Sequence, residues 1–153
     1  AGVAIDDRVR RALKDLRRYH AENNLWETVP EDVLPFLRRL RARGLRRVVV
    51  SNANGTLHAH FDRLGLSPYF DAIFDSHLES VEKPDSRFFE IALERSRSRR
   101  ETTVHVGDFY EIDVVGARGA GLEAILLDPT DLNQDRECER VRSLNELAER
   151  LGA

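Results

Sequence analysis

The stretch Thr103-Val104-His105-Val106-Gly107-Asp108-Phe109-Tyr110-Glu111-Ile112-Asp113 decides how this chain is read. Its first four residues form an apolar run suited to a buried strand. Two aspartates five apart, Asp108 and Asp113, follow it. The residues beyond, from Val114 to Gly121, read as a helix that stops on glycine. Two carboxylates therefore stand where a strand ends and a helix begins. In open α/β sheets that edge is where ligands bind. Hard oxygen donors gathered there suit Mg²⁺, which takes one or two carboxylates together with water and substrate phosphate.

Outward from this stretch, strands and helices alternate. Leu45 to Val50 reads as a first strand, so uniformly apolar that both faces are expected to be buried. Asn54-Gly55 turns into a helix carrying Leu57, Phe61 and Leu64, and Ala72-Ile73-Phe74 is a short strand. Pro84 and Asp85 open a helix to about Arg95 with Phe88, Phe89, Ala92 and Leu93. Residues 102–106 form the third strand, 112–120 the next helix and 124–127 the last strand. A long polar loop, 128–142, leads to Ser143-Leu144-Asn145-Glu146, a capping box that starts a terminal helix. This pattern predicts an α/β fold, a three-layer α/β/α parallel sheet. Ahead of it, Pro30 opens a helix with Val33, Phe36, Leu37 and Leu40 and a stop at Gly44. Residues 1–25 stand apart: a helix over about 6–23, with Val9, Leu13, Leu16 and His20 on one stripe, and then a loop holding Trp26.

Composition bounds the function classes. The 153 residues, 41% hydrophobic and 33% charged, suffice for one domain with a real core. No apolar run approaches the ~20 residues needed to span a bilayer, and no basic-plus-apolar leader is visible. The single cysteine, Cys138, allows no internal disulfide and leans the expected compartment to the cytoplasm. Net charge is −3 but uneven, +5 over residues 1–50 and −8 over 51–153. The basic excess sits on helical faces without the interleaved aromatics of a nucleic-acid groove. Neither a nucleic-acid nor a membrane partner is expected. His58 and His60, two apart, do not share a helical face, and His105 inside a strand reads as a core residue, so no zinc site is expected.

Chemistry-bearing residues recur at three strand ends. Ser51-Asn52 closes the first strand and offers a hydroxyl and backbone N–H groups to a phosphoryl oxygen. A turn and helix cap would use the same residues. Lys83, in Glu82-Lys83-Pro84, is one of only two lysines among 24 basic residues. A compact ammonium just before a helix can meet a transferring phosphoryl group. Asp108 and Asp113 close the third strand. Acids also stabilise helix N-termini, which accounts for Glu111 or Asp113 better than for Asp108.

Taken in order, Val48-Val49-Val50-Ser51-Asn52, Glu82-Lys83-Pro84-Asp85 and Val106-Gly107-Asp108 with Asp113 resemble the second, third and fourth motifs of the haloacid dehalogenase superfamily. The resemblance covers residues from about 25 to 150. It implies a Rossmann-like core over 26–153, with 1–25 as the end of a helical cap. It implies that Ser51 and Asn52 bind the phosphoryl group and that Lys83 neutralises the charge developing on it. Asp108 would hold Mg²⁺, with Asp113 supporting the metal or Lys83. The Gly-Asp form resembles the Mg²⁺-dependent phosphatase branch acting on a small phosphorylated metabolite. A dehalogenase or phosphotransferase branch is a lesser alternative.

One part of the pattern is missing. The family's first motif, Asp-x-Asp on a central strand, supplies the nucleophile and the general acid/base. No Asp-x-Asp occurs in this chain, and Asp6-Asp7 precedes a helix with no full strand before it. Without a nucleophile no aspartyl-phosphate forms, so this chain by itself is expected to be inactive. The missing strand would lie between the Ser51 and Asp108 strands, and buried backbone groups need partners. The chain is then a fragment of a longer enzyme, or the two edges pair directly, or a second chain donates the strand. An intervening strand would set the two strands about 9–10 Å apart, twice the ~4.8 Å neighbour spacing. The rival function is a non-catalytic phosphate- or metal-binding or regulatory protein on the same fold.

Overall fold

Four apolar runs form parallel strands in the computed structural model, which describes residues 5–22 and 28–153. The elements are helix α1 (Asp7–Glu22), helix α2 (Val33–Ala42), strand β1 (Val48–Ser51), helix α3 (Leu57–Arg63), strand β2 (Ala72–Asp75), the short helix α4 (Ser76–Glu79) and helix α5 (Ser86–Ser96). Strand β3 (Val104–Gly107), a π-helical turn (Tyr110–Val114), helix α6 (Val115–Gly119), strand β4 (Glu123–Leu127), strand β5 (Glu139–Val141) and helix α7 (Leu144–Arg150) complete the chain. His20 and Trp26, singled out in the sequence, lie outside what is described: Trp26 entirely, and His20 for its side chain.

The strands form two ladders. β1 pairs in parallel with β2, Val48 opposite Ala72 and Ser51 opposite Asp75. β3 pairs in parallel with β4, and β4 with β5. β1 and β3 do not pair with each other, so the direct-pairing alternative is not what the chain adopts. Between them runs a cavity of about 650 Å³, walled by Val48, Val49 and Val50 on one side and Val104, His105 and Val106 on the other.

Helices cover both faces, as the alternation requires. On one face Phe89 and Leu93 of α5 pack with Val114 and Ala117 against Ala124 and Leu126 of β4. On the other, Leu147 of α7 packs with Ile125 and Val141, joined by Phe36 of α2, Val104 and Val106. The period-2 alternation of β4 thus feeds two cores. α5 straddles the two ladders: its Phe88 and Ala92 pack with Phe74 of β2 and with Val48 and Val50 of β1.

Three readings from the sequence change. The 45–50 run was expected to be buried on both faces, yet every residue of β1 is only half-buried, as is every residue of β3. Each lacks a neighbour on its cavity side. The long polar loop contains β5, which rests on one buried apolar residue, Val141. It is tied down further by Arg118, which donates to the Glu137 carbonyl at 2.8 Å, and by the Arg136–Glu111 ion pair at 2.7 Å. The expected 112–120 helix begins instead as the π-helical turn. The capping box holds with one change: Ser143 Oγ accepts from the Glu146 N–H at 3.1 Å, while the Glu146 carboxylate accepts from Arg142 rather than Ser143. On α1, Leu13, Leu16 and Tyr19 remain exposed.

Candidate active site at the carboxyl ends of β1 and β3

The loop after β1 is shaped by side chains from β2 and α4. Asp75, 1% exposed, accepts from the N–H groups of Gly55 at 2.9 Å, Leu57 at 3.2 Å and His77 at 3.0 Å. A buried carboxylate is tolerable when backbone donors surround it. Ser76 Oγ accepts from the Ala53 N–H at 3.0 Å. These bonds fix residues 53–57 and so fix where Ser51 and Asn52 end.

Asn52 then joins this loop to the next. Its side-chain amide donates to the Lys83 carbonyl and its oxygen accepts from the Lys83 N–H, both at 2.8 Å. The Asn52 side chain is thereby engaged with backbone, and its position sets that of Lys83. The Lys83–Pro84 peptide is cis.

Lys83 reaches across to the β3 side. Its Nζ lies 2.6 Å from Oδ1 of Asp113, with both side chains largely buried. His105 Nε2 stands 3.0 Å from the same oxygen, and the Phe109 N–H donates to Oδ2 at 3.0 Å. Burial alone would push the Asp113 carboxyl up. Hydrogen bonds from His105 and Lys83, the lysine charge and the Phe109 N–H outweigh it and hold the group far below the ordinary carboxylate range.

The local sequence explains the placement of Asp113. The π-helical turn widens the chain just after β3 and returns Asp113 beneath Gly107. No side chain fits at 107: a Cβ there would stand 2.1 Å from Asp113 Cγ. Gly116 has a similar reason, since a Cβ there would meet the Pro84 Cα at 2.9 Å. The two glycines let the turn and α6 settle against β3 and the Lys83 loop.

Asn52 bonded to Lys83, Lys83 to Asp113, and Asp113 to Phe109 make one continuous polar relay. The relay places the ends of β1 and β3, with Ser51 and Asp108, on the same edge. Asp108 is exposed, and neither its carboxylate nor the Ser51 hydroxyl bonds another side chain or backbone group among the described residues. Of the expected site residues, then, Lys83, Asn52 and Asp113 are locked together, while half-buried Ser51 and exposed Asp108 flank them in sequence next to Asn52 and Phe109.

A magnesium ion would find part of its ligand set here. Asp108 offers a free hard oxygen, whereas both oxygens of Asp113 are occupied by nitrogen donors. Among the described residues, no three His, Cys, Asp or Glu side chains gather. The donor set fits one carboxylate of a Mg²⁺ site, with the remaining ligands from water, phosphate or another segment. Cys138 is no rival centre: burial pushes its thiol up, away from thiolate reactivity.

The sequence reading missed His105, taken as core, and Asp75, whose carboxylate organises the Ser51 loop. Asp75 follows an apolar strand and precedes Ser76, an N-cap signal that could have marked it.

A strand-end hydroxyl, a locked lysine and two acids gather around one sheet edge, and comparison with known proteins gives the class. The family model described as haloacid dehalogenase-like hydrolase matches residues 3–121, and the chain belongs to that family. It is 37% identical over 101 residues to the ribulose-1,5-bisphosphate 5-phosphatase of Halopiger xanaduensis, covering 65% of this chain and 42% of that protein. It is 32% identical over 127 residues to the haloacid dehalogenase-like hydrolase domain-containing protein 3 of Bos taurus, covering 83% of this chain and 50% of that protein. The crystal structure of a phosphatase of this superfamily from Thermococcus onnurineus superposes with a TM-score of 0.75 at 27% identity, over 91% of this chain and 63% of that one. The chain spans about half the length of the curated relatives it matches. No helix among the described residues is long and apolar enough to cross a membrane.

Proposed function

We propose that this chain is part of a Mg²⁺-dependent phosphatase that hydrolyses a small phosphomonoester through an aspartyl-phosphate, and that it is inactive until a further strand fills the cavity between β1 and β3. The observation that carries this reading is the Lys83–Asp113 pair, held at 2.6 Å beside the free Asp108 and Ser51. The two half-buried valine strands that flank a cavity support it. So do the relatives that are named phosphatases.

In this reading the added strand carries the nucleophilic aspartate. Its carboxylate attacks phosphorus in line, the alcohol leaves with a proton from a second acid on that strand, and water then releases phosphate. Ser51 Oγ donates to a phosphoryl oxygen. The Lys83 ammonium neutralises charge on the transferring group, and Asn52 and Asp113 hold it in place. Asp108 would be one ligand of a magnesium ion, which when bound would supply further positive charge at the phosphoryl oxygens. The strand comes from an upstream segment of a longer chain or from a second chain, and the protein works in the cytoplasm without nucleic acid or membrane.

The test is hydrolysis of p-nitrophenyl phosphate. The chain alone gives no turnover. The product of an extended reading frame, with the upstream coding sequence restored, gives Mg²⁺-dependent turnover that Asp108→Ala and Lys83→Ala abolish. Turnover by the chain alone, lost in Asp108→Ala, would overturn the need for the added strand. An extended protein that binds phosphate without hydrolysing p-nitrophenyl phosphate would favour a regulatory role.

A further inference from the structure

His105 occupies a place that the rest of the strand does not predict. Its β3 neighbours Val104 and Val106 pack with Phe36, Ile125 and Leu147 on one face. By the period-2 rule His105 projects to the other face, where Phe89 stacks edge-on against it at 4.9 Å and 85°. A third valine would complete that face more cheaply than a polar ring. The imidazole instead points Nε2 at Asp113 Oδ1, 3.0 Å away, the oxygen that also takes the Lys83 ammonium at 2.6 Å.

We propose that His105 is a positioning residue for Lys83, acting through Asp113. A carboxylate held by one lysine and one backbone N–H can still turn about its last torsion, which is broad in aspartate, and the ammonium follows it. A third donor, set by a strand and wedged by Phe89, removes that freedom. To bond a carboxylate, the ring must carry hydrogen on Nε2. The assignment extends the phosphatase reading to a residue that touches neither metal nor substrate, and it rests on that reading only for its catalytic consequence.

The chain offers a clean measurement, because Lys83 has only one fellow lysine, Lys14, which lies exposed on α1. In ¹⁵N-lysine-labelled protein, Lys83 should give a slowly exchanging ammonium signal that Lys14 does not. His105→Leu should broaden or remove it, with circular dichroism unchanged. His105→Gln, whose amide can donate in place of Nε2, should retain it. In wild type, ring ¹⁵N shifts of His105 should report hydrogen on Nε2. A Lys83 signal unaffected by His105→Leu, or a His105 ring with hydrogen on Nδ1 alone, would overturn the proposal. Should His105→Leu fail to fold, the glutamine variant and the tautomer still decide it. None of these readouts needs turnover, so a chain that proves not to be a phosphatase leaves them standing. In an active extended form, His105→Leu should lower kcat about tenfold with KM within about twofold, and His105→Gln should recover most of the loss.

Discussion

Gly107 and Asp113 occupy almost the same space: a Cβ on the first would fall 2.1 Å from Cγ of the second. The aspartate can yield only by giving up its bonds to Lys83, His105 and Phe109. Gly107→Ala should therefore displace the carboxylate and cost about 1–3 kcal/mol, as overpacked interiors do. Urea denaturation would measure the loss, and the Lys83 ammonium signal should weaken in the same variant.

The Lys83–Asp113 pair should behave as a buried ion pair. Removing one partner leaves an uncompensated charge, so Lys83→Met or Asp113→Leu alone should each cost about 3–5 kcal/mol. The double variant Lys83→Met/Asp113→Leu should cost less than either. A double-mutant cycle on denaturation midpoints checks this, and additive losses would contradict it.

Acid should weaken the protein through the same carboxyl. Asp113 is held far below the ordinary range in the folded chain, so over acidic pH the unfolded chain binds more protons there. The stability it contributes is fully present above the unfolded value, near 3.9. It drains away as pH falls from there toward the folded value. Between pH 7 and pH 3, wild type should lose more stability than Asp113→Asn, and the gap between their urea midpoints should shrink. A gap that widens toward low pH would reverse the sign.

The cavity between β1 and β3 should be visible to a dye. Half-buried valines on both of its walls make it an apolar surface in water. The chain alone should bind 8-anilinonaphthalene-1-sulfonate under native conditions. An extended form with a strand in the cavity should bind it several-fold less, by fluorescence titration.

Asn52 should matter for geometry more than for direct contact. Its two 2.8 Å bonds to the Lys83 backbone need a donor and an acceptor on one side chain. Asn52→Asp keeps the acceptor, loses the donor and faces the Lys83 carbonyl with like charge. It should cost about 1–3 kcal/mol, and calorimetry of the two proteins would register it.

Much of the fold was legible because its strands are short apolar runs between turn residues. The segments at 48–51, 72–75, 104–107 and 123–127 all fall within or beside the runs that announced them. What the sequence hid was set by neighbours rather than by pattern. β5 has one buried apolar residue in three and takes its identity from lying beside β4. The π-helical turn brings Asp113 into the space that Gly107 leaves open, a relation between two segments that no local pattern announces. His105 looked like core because valines flank it, and nothing in a strand's period points to a partner eight residues on. The half-buried state of β1 follows from an empty neighbouring position, which no local reading could register. At the site, the strand-end residues were evident, but the engagement of Asn52 with backbone and of Asp113 with nitrogen donors required the coordinates.

The polar relay through Asn52, Lys83 and Asp113 has one more consequence. It begins on the loop of one half-sheet and ends on the turn of the other, so a single lysine is riveted across the seam. Any segment that wedges the halves apart, or draws them together, must tug on that ammonium. Completion of the sheet and tuning of its one buried lysine are, in this architecture, the same mechanical event.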